Sequence, residues 1–322
     1  MRKAIVIGID EYPGVPLEGC KNDAAAFCNT IQTNGDGSPN FEAILRTDIT
    51  TRAQLSDLAE NVFKGECDVA LFYFSGHGHT NKLGSFLVTP DAKGLDTGLS
   101  MEDLLKLANE SEAKNRVIIL DCCNSGSIGT SELTGGNISS LKKGVTILTA
   151  SRQNESAIEI NGHGVFTNLL LAALQGGAAD VKGDITPGSI YAFIDQALGA
   201  WDQRPVFKTN VTEFCPLRHV TAKVDKRTLR KLAAYFPSAG HEFPLDPSFE
   251  YTNSKEIEHN IIEPYAIEKN VEQFKDLQKF QSVGLVVPVD SDHMYFAAME
   301  SKTCRLTALG AHYWKLAKER RI

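Results

Sequence analysis

Four short apolar runs, each closed by turn-forming residues, set the rhythm of the first two thirds of the chain: Ala4–Ile9, Val69–Phe74, Val117–Leu120 and Val145–Leu148. They are too continuous to alternate between a wet and a dry face. They therefore read as strands buried on both sides, the pattern of a parallel sheet. Between and after them the apolar spacing becomes helical, over Asn22–Ile31, Thr51–Phe63, Ser100–Ala108, Phe166–Leu174 and Ile190–Leu198. Ser100, with Asp103 three residues on, forms a capping arrangement at a helix start. Strands alternating with helices predict an α/β fold over residues 1–218, a mostly parallel sheet with helices on both faces.

The pattern changes after about residue 220. A basic stretch, Lys223–Lys231, leads into a helix at Arg227–Tyr235, and Pro237, Pro244 and Pro247 mark turns. Val271–Val283 reads as a helix ending at Gly284, Leu285–Val289 and Met294–Met299 as two short strands, and Thr307 as the cap of a last helix, Ala308–Arg321. Helix, two-stranded ribbon and helix predict a small α+β, winged-helix-like domain over residues 222–322, a regulatory or interaction module.

Composition narrows the class. The chain has 322 residues, 42% hydrophobic and 23% charged, an ordinary globular mixture with enough apolar material for a sizeable core. The net charge of -7 argues against wholesale phosphate binding. Residues 221–322 hold 15 Lys+Arg and 14 Asp+Glu, so the second domain is near neutral and the first 220 residues carry the acidity. The apolar run after Arg2 and Lys3 ends at Asp10, too short for a signal peptide. No stretch has the length of a membrane span. Seven cysteines without regular spacing predict free thiols and a cytoplasmic protein.

In doubly wound sheets ligands bind at the carboxyl ends of the strands. Val69–Phe74 runs there into Ser75, Gly76, His77, Gly78 and His79, and Val117–Leu120 into Asp121, Cys122, Cys123, Asn124, Ser125 and Gly126. A thiol attacks only as thiolate. An imidazole from the neighbouring strand end can take its proton and later protonate a leaving amine. Cys123 and His77 are the candidate catalytic pair, and the amides of Gly78 and Cys123 are candidates for an oxyanion hole. Taken singly, a cysteine is more often a small hydrophobe and a histidine in a glycine-rich turn more often structural. Their expected meeting at adjacent strand ends reverses that preference.

These segments resemble those of the caspase and metacaspase family of cysteine proteases. Tyr73–Gly78 is similar to the segment around the family's catalytic histidine, and Asp121–Gly126 to its nucleophile segment. Gly19-Cys20-Lys21-Asn22-Asp23-Ala24 resembles its first helix start, and Thr149–Ser151 with Gly164–Thr167 its small-subunit half. The resemblance spans residues 1–215 and implies a caspase-like fold with a Cys–His dyad. Asn124 departs from it, because metacaspases usually carry histidine there. The alignment favours Cys123 over Cys122 as nucleophile. It also implies that Cys20, Asp23, Ser75 and Asp121 line the pocket for the substrate's P1 side chain, with Glu155 and Glu159 as weaker candidates. Two carboxylates in a partly desolvated pocket favour a cation, hence cleavage after Arg or Lys.

A zinc site is the rival for His77, His79, Cys122 and Cys123, but adjacent cysteines chelate one ion poorly. No metal or cofactor is expected. Lys142-Lys143 and Lys226-Arg227 are candidate self-cleavage sites, with ordinary solvated charge pairs as the bland alternative. The expected partners are proteins or peptides with a basic P1 residue. A small-molecule or protein activator and a homo-oligomer stay open, and nucleic acid is not an expected partner. A protein-interaction, dimerisation or ligand-sensing role for the second module is favoured about two to one over sequence-specific DNA binding. The resemblance implies a regulated effector protease, of the sort some bacteria use in stress or anti-phage defence. The competing reading is a catalytically silent caspase-fold platform whose second module binds DNA or protein.

Overall fold

The computed structural model describes residues 1–122, 141–150, 159–160, 163–198, 205–255 and 262–322, with backbone alone at 159, 160 and 163. The chain divides into two compact units, Met1–Thr221 and Ala222–Ile322.

The first unit is built on a six-stranded sheet. Its strands are β1 (Arg2–Gly8), β2 (Glu42–Arg46), β3 (Val69–Ser75), β7 (Asn115–Asp121), β8 (Val145–Thr149) and β12 (Val206–Asn210), in the order β12-β8-β7-β3-β1-β2. All neighbours are parallel except β12, which runs antiparallel to β8. Between β3 and β7 the chain forms an antiparallel three-stranded sheet of β4 (Gly78–Asn81), β5 (Gly84–Lys93) and β6 (Asp96–Ser100). Two short ribbons complete the unit. One pairs β9 (Glu159–Ile160) with β10 (His163–Gly164), and the other pairs β11 (Asp184–Ile185) with β13 (Arg218–His219).

The central strands are apolar throughout because both faces are covered. Ile5, Ile7, Phe72, Phe74, Ile118 and Leu120 pack in one core with α2 (Arg52–Phe63) and α3 (Met101–Glu110). Val6, Leu71, Tyr73, Ile119 and Leu148 pack in the other with α1 (Cys20–Gln32), α4 (Val165–Ala172) and α5 (Pro187–Leu198). Successive strand residues point to opposite faces, so each run feeds both cores. The four expected strands and five expected helices are all present. The edge strands β2 and β12 and the β4–β6 sheet carry half-polar sequences that do not stand out as apolar runs.

Thr51 caps α2 with a full capping box, and Ser100 accepts from the amides of Glu102 and Asp103 at the start of α3. The segment before β8 is clamped at the amino edge of the sheet. The buried Arg116 guanidinium donates to the carbonyls of Ala108, Ala113 and Lys143, and the Lys142 amide donates to Asn109. The Lys142-Lys143 pair therefore sits at the edge of the sheet away from the strand ends that lead to His77.

The second unit contains α6 (Lys226–Arg230), α7 (Leu232–Tyr235), α8 (Glu268–Ser282), α9 (Met294–Met299) and α10 (Ala308–Lys318). Its sheet has the order β14-β16-β15, from β14 (Glu242–Pro244), β15 (Val286–Pro288) and β16 (Thr303–Leu306). One expectation is corrected here. Met294–Met299, read as a strand, is a helix capped by His293, and the partner of β15 is Thr303–Leu306. Met294, Ala297 and Ala298 are buried, at the i, i+3, i+4 spacing of one helical face. All six residues are apolar, so the sequence alone does not show that spacing.

Candidate active site

The carboxyl ends of β1, β3 and β7 lie level, with Gly8 beside Ser75 and Ser75 beside Asp121. The chain leaves β1 for β2 on one side and returns to β3 on the other, so the connection reverses between β1 and β3. Such a reversal opens a crevice outside the strand ends. The loop after β1 and the turn after β3 flank it.

His77 stands two residues past the end of β3, half-buried. Its Nε2 lies 2.8 Å from the carbonyl oxygen of Val15, in the loop after β1. A carbonyl can only accept, so Nε2 carries the proton and Nδ1 is the acceptor of the neutral ring. Tyr12, in the same loop, packs its ring edge-on against the imidazole with centroids 4.6 Å apart. The Tyr12 hydroxyl accepts from the His77 amide and donates to the Val88 carbonyl on β5. The Val88 amide in turn donates to the His77 carbonyl. Gly76 permits this approach, because a Cβ there would sit 2.5 Å from the Tyr12 hydroxyl oxygen. Burial keeps the Tyr12 phenol protonated by raising its pKa far above the ordinary value. His77 is thus held from two sides, with one ring nitrogen committed to the loop.

The second half of the site is a buried polar cluster on the α1/α4 face. Cys20, Asp23, Ser75 and Asp121 are each no more than 5% exposed. Asp23 accepts from the Gly164 amide at 3.0 Å, and Asp121 accepts from the Thr167 hydroxyl at 2.6 Å. Since Thr167 spends its proton on Asp121, the Tyr73 hydroxyl 2.6 Å away donates to Thr167. Burial, then the Asp121 and Asp23 charges, push the Tyr73 phenol well up and fix it as a donor. The Cys20 thiol is also pushed up, chiefly by burial, against the opposing effect of its hydrogen bond to Ser75. An oxygen of each carboxylate lies within 3.2 Å of the point a Cβ on Gly164 would occupy. The four residues expected around one pocket are therefore brought together, with α4 presenting its first turn to both carboxylates.

Gly78 opens β4 immediately after His77. Cys123 and Glu155 lie outside the described residues, and Glu159 is described only as backbone of β9. Cys122 is fully buried in the α2/α3 core. The six described cysteines, all but Cys123, are free thiols. Among the described residues no group of three or more His, Cys, Asp or Glu side chains is arranged to hold a metal ion. No described helix is long and apolar enough to cross a membrane.

A search of curated proteins finds no match. The crystal structure of a protein from Geobacter sulfurreducens superposes with a TM-score of 0.50 at 16% identity, covering 69% of this chain and 99% of that one. At that identity the likeness concerns the fold alone. The family described as "Caspase domain" matches residues 1–214. This chain belongs to the caspase-domain family. It is therefore a member of a family of cysteine proteases, with the mostly parallel sheet and two helical layers of the caspase domain. The match covers the first unit almost to its end.

Two residues of this caspase domain escaped the sequence reading. Tyr12 sits in a polar loop, and nothing in its spacing connects it to a histidine 65 positions on. Asp10 receives the Cys20 amide at 2.8 Å and so caps α1, whose own N-cap, Gly19, has no side chain to do it. Its place just after an apolar strand and before a helix was the available signal.

Proposed function

We propose that this caspase-domain protein is an endopeptidase with Cys123 as nucleophile and His77 as base, cleaving after Arg or Lys. One observation carries the reading. The imidazole is held through Nε2, leaving Nδ1 as acceptor, two residues beyond Ser75, and Ser75 is level with Asp121, two residues before Cys123. In the proposed cycle the Cys123 thiol gives its proton to Nδ1 and its sulfur bonds to the substrate's carbonyl carbon. The amides of Gly78 and Cys123 receive the developing oxyanion. The C–N bond then breaks, His77 returns the proton to the departing amine, and water hydrolyses the thioester. The preference for a basic P1 residue is supported by Asp23 and Asp121. Both carboxylates approach Gly164, one accepting from its amide and the other from the Thr167 hydroxyl.

The test is hydrolysis of fluorogenic Arg, Lys and Asp peptides by the full chain and by its Cys123→Ala and His77→Ala variants. Arg and Lys peptides are expected to be cut, and each variant to lose about 10²–10⁴-fold or more in rate. Cleavage of Asp peptides alone would overturn the pocket assignment. Undiminished cleavage by either variant would overturn the dyad.

A further inference from the structure

The second unit is near neutral in total, but its charge is segregated. The two basic stretches that the sequence keeps far apart, 223–231 and 315–321, hold nine Lys or Arg against Asp225 and Glu319 alone. The rest of residues 221–322 holds the remaining six cations and twelve carboxylates. The fold joins the basic stretches, because α10 packs on both α6 and α7. Trp314 donates its indole N–H to the Phe236 carbonyl, and Arg230 Nε donates to the Ile322 carbonyl oxygen at 2.8 Å. That last bond sets Arg230 beside the segment carrying Lys318, Arg320 and Arg321.

Pairing neutralises only part of this face. Lys231 is bound to the buried Asp276, while Lys315 and Arg321 share Glu319. Lys223, Lys226, Arg227 and Arg320 are exposed and have no carboxylate partner among the described residues, and Arg230 is exposed with its Nε on the Ile322 oxygen. Lys318 lies over the Trp314 ring. Complementing the dipole of α10 would account for Lys315 and Lys318 in its last turn. It does not account for Lys226 and Arg227, which open α6.

We infer that this face binds the phosphate backbone of a nucleic acid without reading its sequence. Arginine forks suit phosphate oxygens, and clustered unpaired cations are the electrostatic footprint of such binding. The alternatives fit less well. A protein partner calls for an apolar, charge-depleted centre. A membrane surface calls for an apolar wedge. Leu229 of α6 and Tyr313 and Ala317 of α10 are buried in the unit itself, and the exposed Leu309 of α10 lies in its first turn, away from the basic last turn. The large exposed apolar residues of this unit, Tyr251, Ile262, Ile267, Phe296 and Leu309, lie outside the basic stretches. This inference does not depend on the peptidase reading, and it departs from the expectation that nucleic acid is not a partner.

The experiment is fluorescence anisotropy of labelled single-stranded RNA, single-stranded DNA and duplex DNA, each of two unrelated sequences, beside co-sedimentation with phosphatidylserine vesicles. The protein is the full chain carrying Cys123→Ala, titrated between 50 and 200 mM salt. At least one nucleic acid form is expected to bind alike in both sequences, with log affinity falling linearly in log salt. Combining Arg227→Ala, Arg230→Ala and Arg320→Ala should weaken binding at least about tenfold and reduce the salt slope by about 2 to 3, from roughly 0.9 per phosphate contact. Lys275→Ala, outside the patch, should leave binding unchanged, and circular dichroism checks that both variants stay folded. Three results would each overturn the inference: no binding at 50 mM salt, binding that the triple variant retains, or binding only to phosphatidylserine vesicles.

Discussion

The two edges of the central sheet handle carboxylates differently. At the amino edge, Asp68 sits between the Lys114 ammonium at 2.7 Å and the Met1 amine at 2.8 Å. Those hydrogen bonds, Lys114 first, hold the Asp68 carboxyl down to about 2. At the carboxyl edge, Asp23 and Asp121 take hydrogen bonds from a backbone amide and a threonine hydroxyl. The amino-edge carboxylate is ion-paired and half-exposed, whereas the two at the carboxyl edge are buried beside the strand ends that lead to His77. Arg116 is the converse case, a buried cation at the amino edge satisfied by carbonyl oxygens.

The sharpest way to break this contrast is Asp121→Asn. The amide oxygen still accepts from Thr167, so the fold should stand while the pocket loses a charge. kcat/KM on Arg peptides should fall about 10²-fold, in line with loss of one partner from a desolvated charge pair. An unchanged value would place the basic preference elsewhere.

Gly164→Ala comes next. Gly164 has φ -63 and ψ 136, which alanine adopts freely, so the only penalty is contact with the carboxylate oxygens. Overpacking of this kind costs about 1–3 kcal/mol. The expected readout is a lower Tm and a KM for Arg peptides raised more than kcat is lowered. A rise in kcat with KM unchanged would contradict it.

Tyr12→Phe tests the imidazole side, where the hydroxyl links the His77 amide to Val88. Loss of these bonds is worth about 0.5–1.5 kcal/mol. kcat should drop by up to about tenfold while the ring contact survives. Equal activity of both forms across the pH–rate profile would show that the hydroxyl does not position His77.

The smallest effect belongs to the amino edge. The folded Asp68 pKa is depressed, so its contribution to stability is complete above the ordinary value of 3.8 and is lost as pH falls towards 2. Asp68→Asn should flatten acid unfolding between about pH 4 and pH 2 and leave cleavage at pH 7 untouched. A change in activity at pH 7 would mean that the two edges are coupled.

The contrast also shows how far the chain could be read before its structure was known. Apolar continuity in β1, β3, β7 and β8 fixed a parallel sheet, because a strand covered on both faces has to be apolar at nearly every position. The level ends of β3 and β7 then follow from the turn residues that close them, so His77 and Asp121 were legible as strand-tip residues. Edge strands β2 and β12 were not, since an edge is half-wet and its pattern blurs. In the second unit, Met294–Met299 misled for a related reason. All six residues are apolar, so the sequence fits a buried strand or a helix, and only contact with the rest of the unit chooses which face is covered.

By itself, the sequence determined the layers of the caspase domain and the chemistry available at its strand ends, through local period and residue type. Only the tertiary structure decided which atoms those side chains use. Val15 takes Nε2 of His77, Gly164 leaves room for two carboxylates, and α10 joins cations some ninety positions apart. Those outcomes depend on contacts between segments distant in the chain, and a one-dimensional pattern carries no record of such distances.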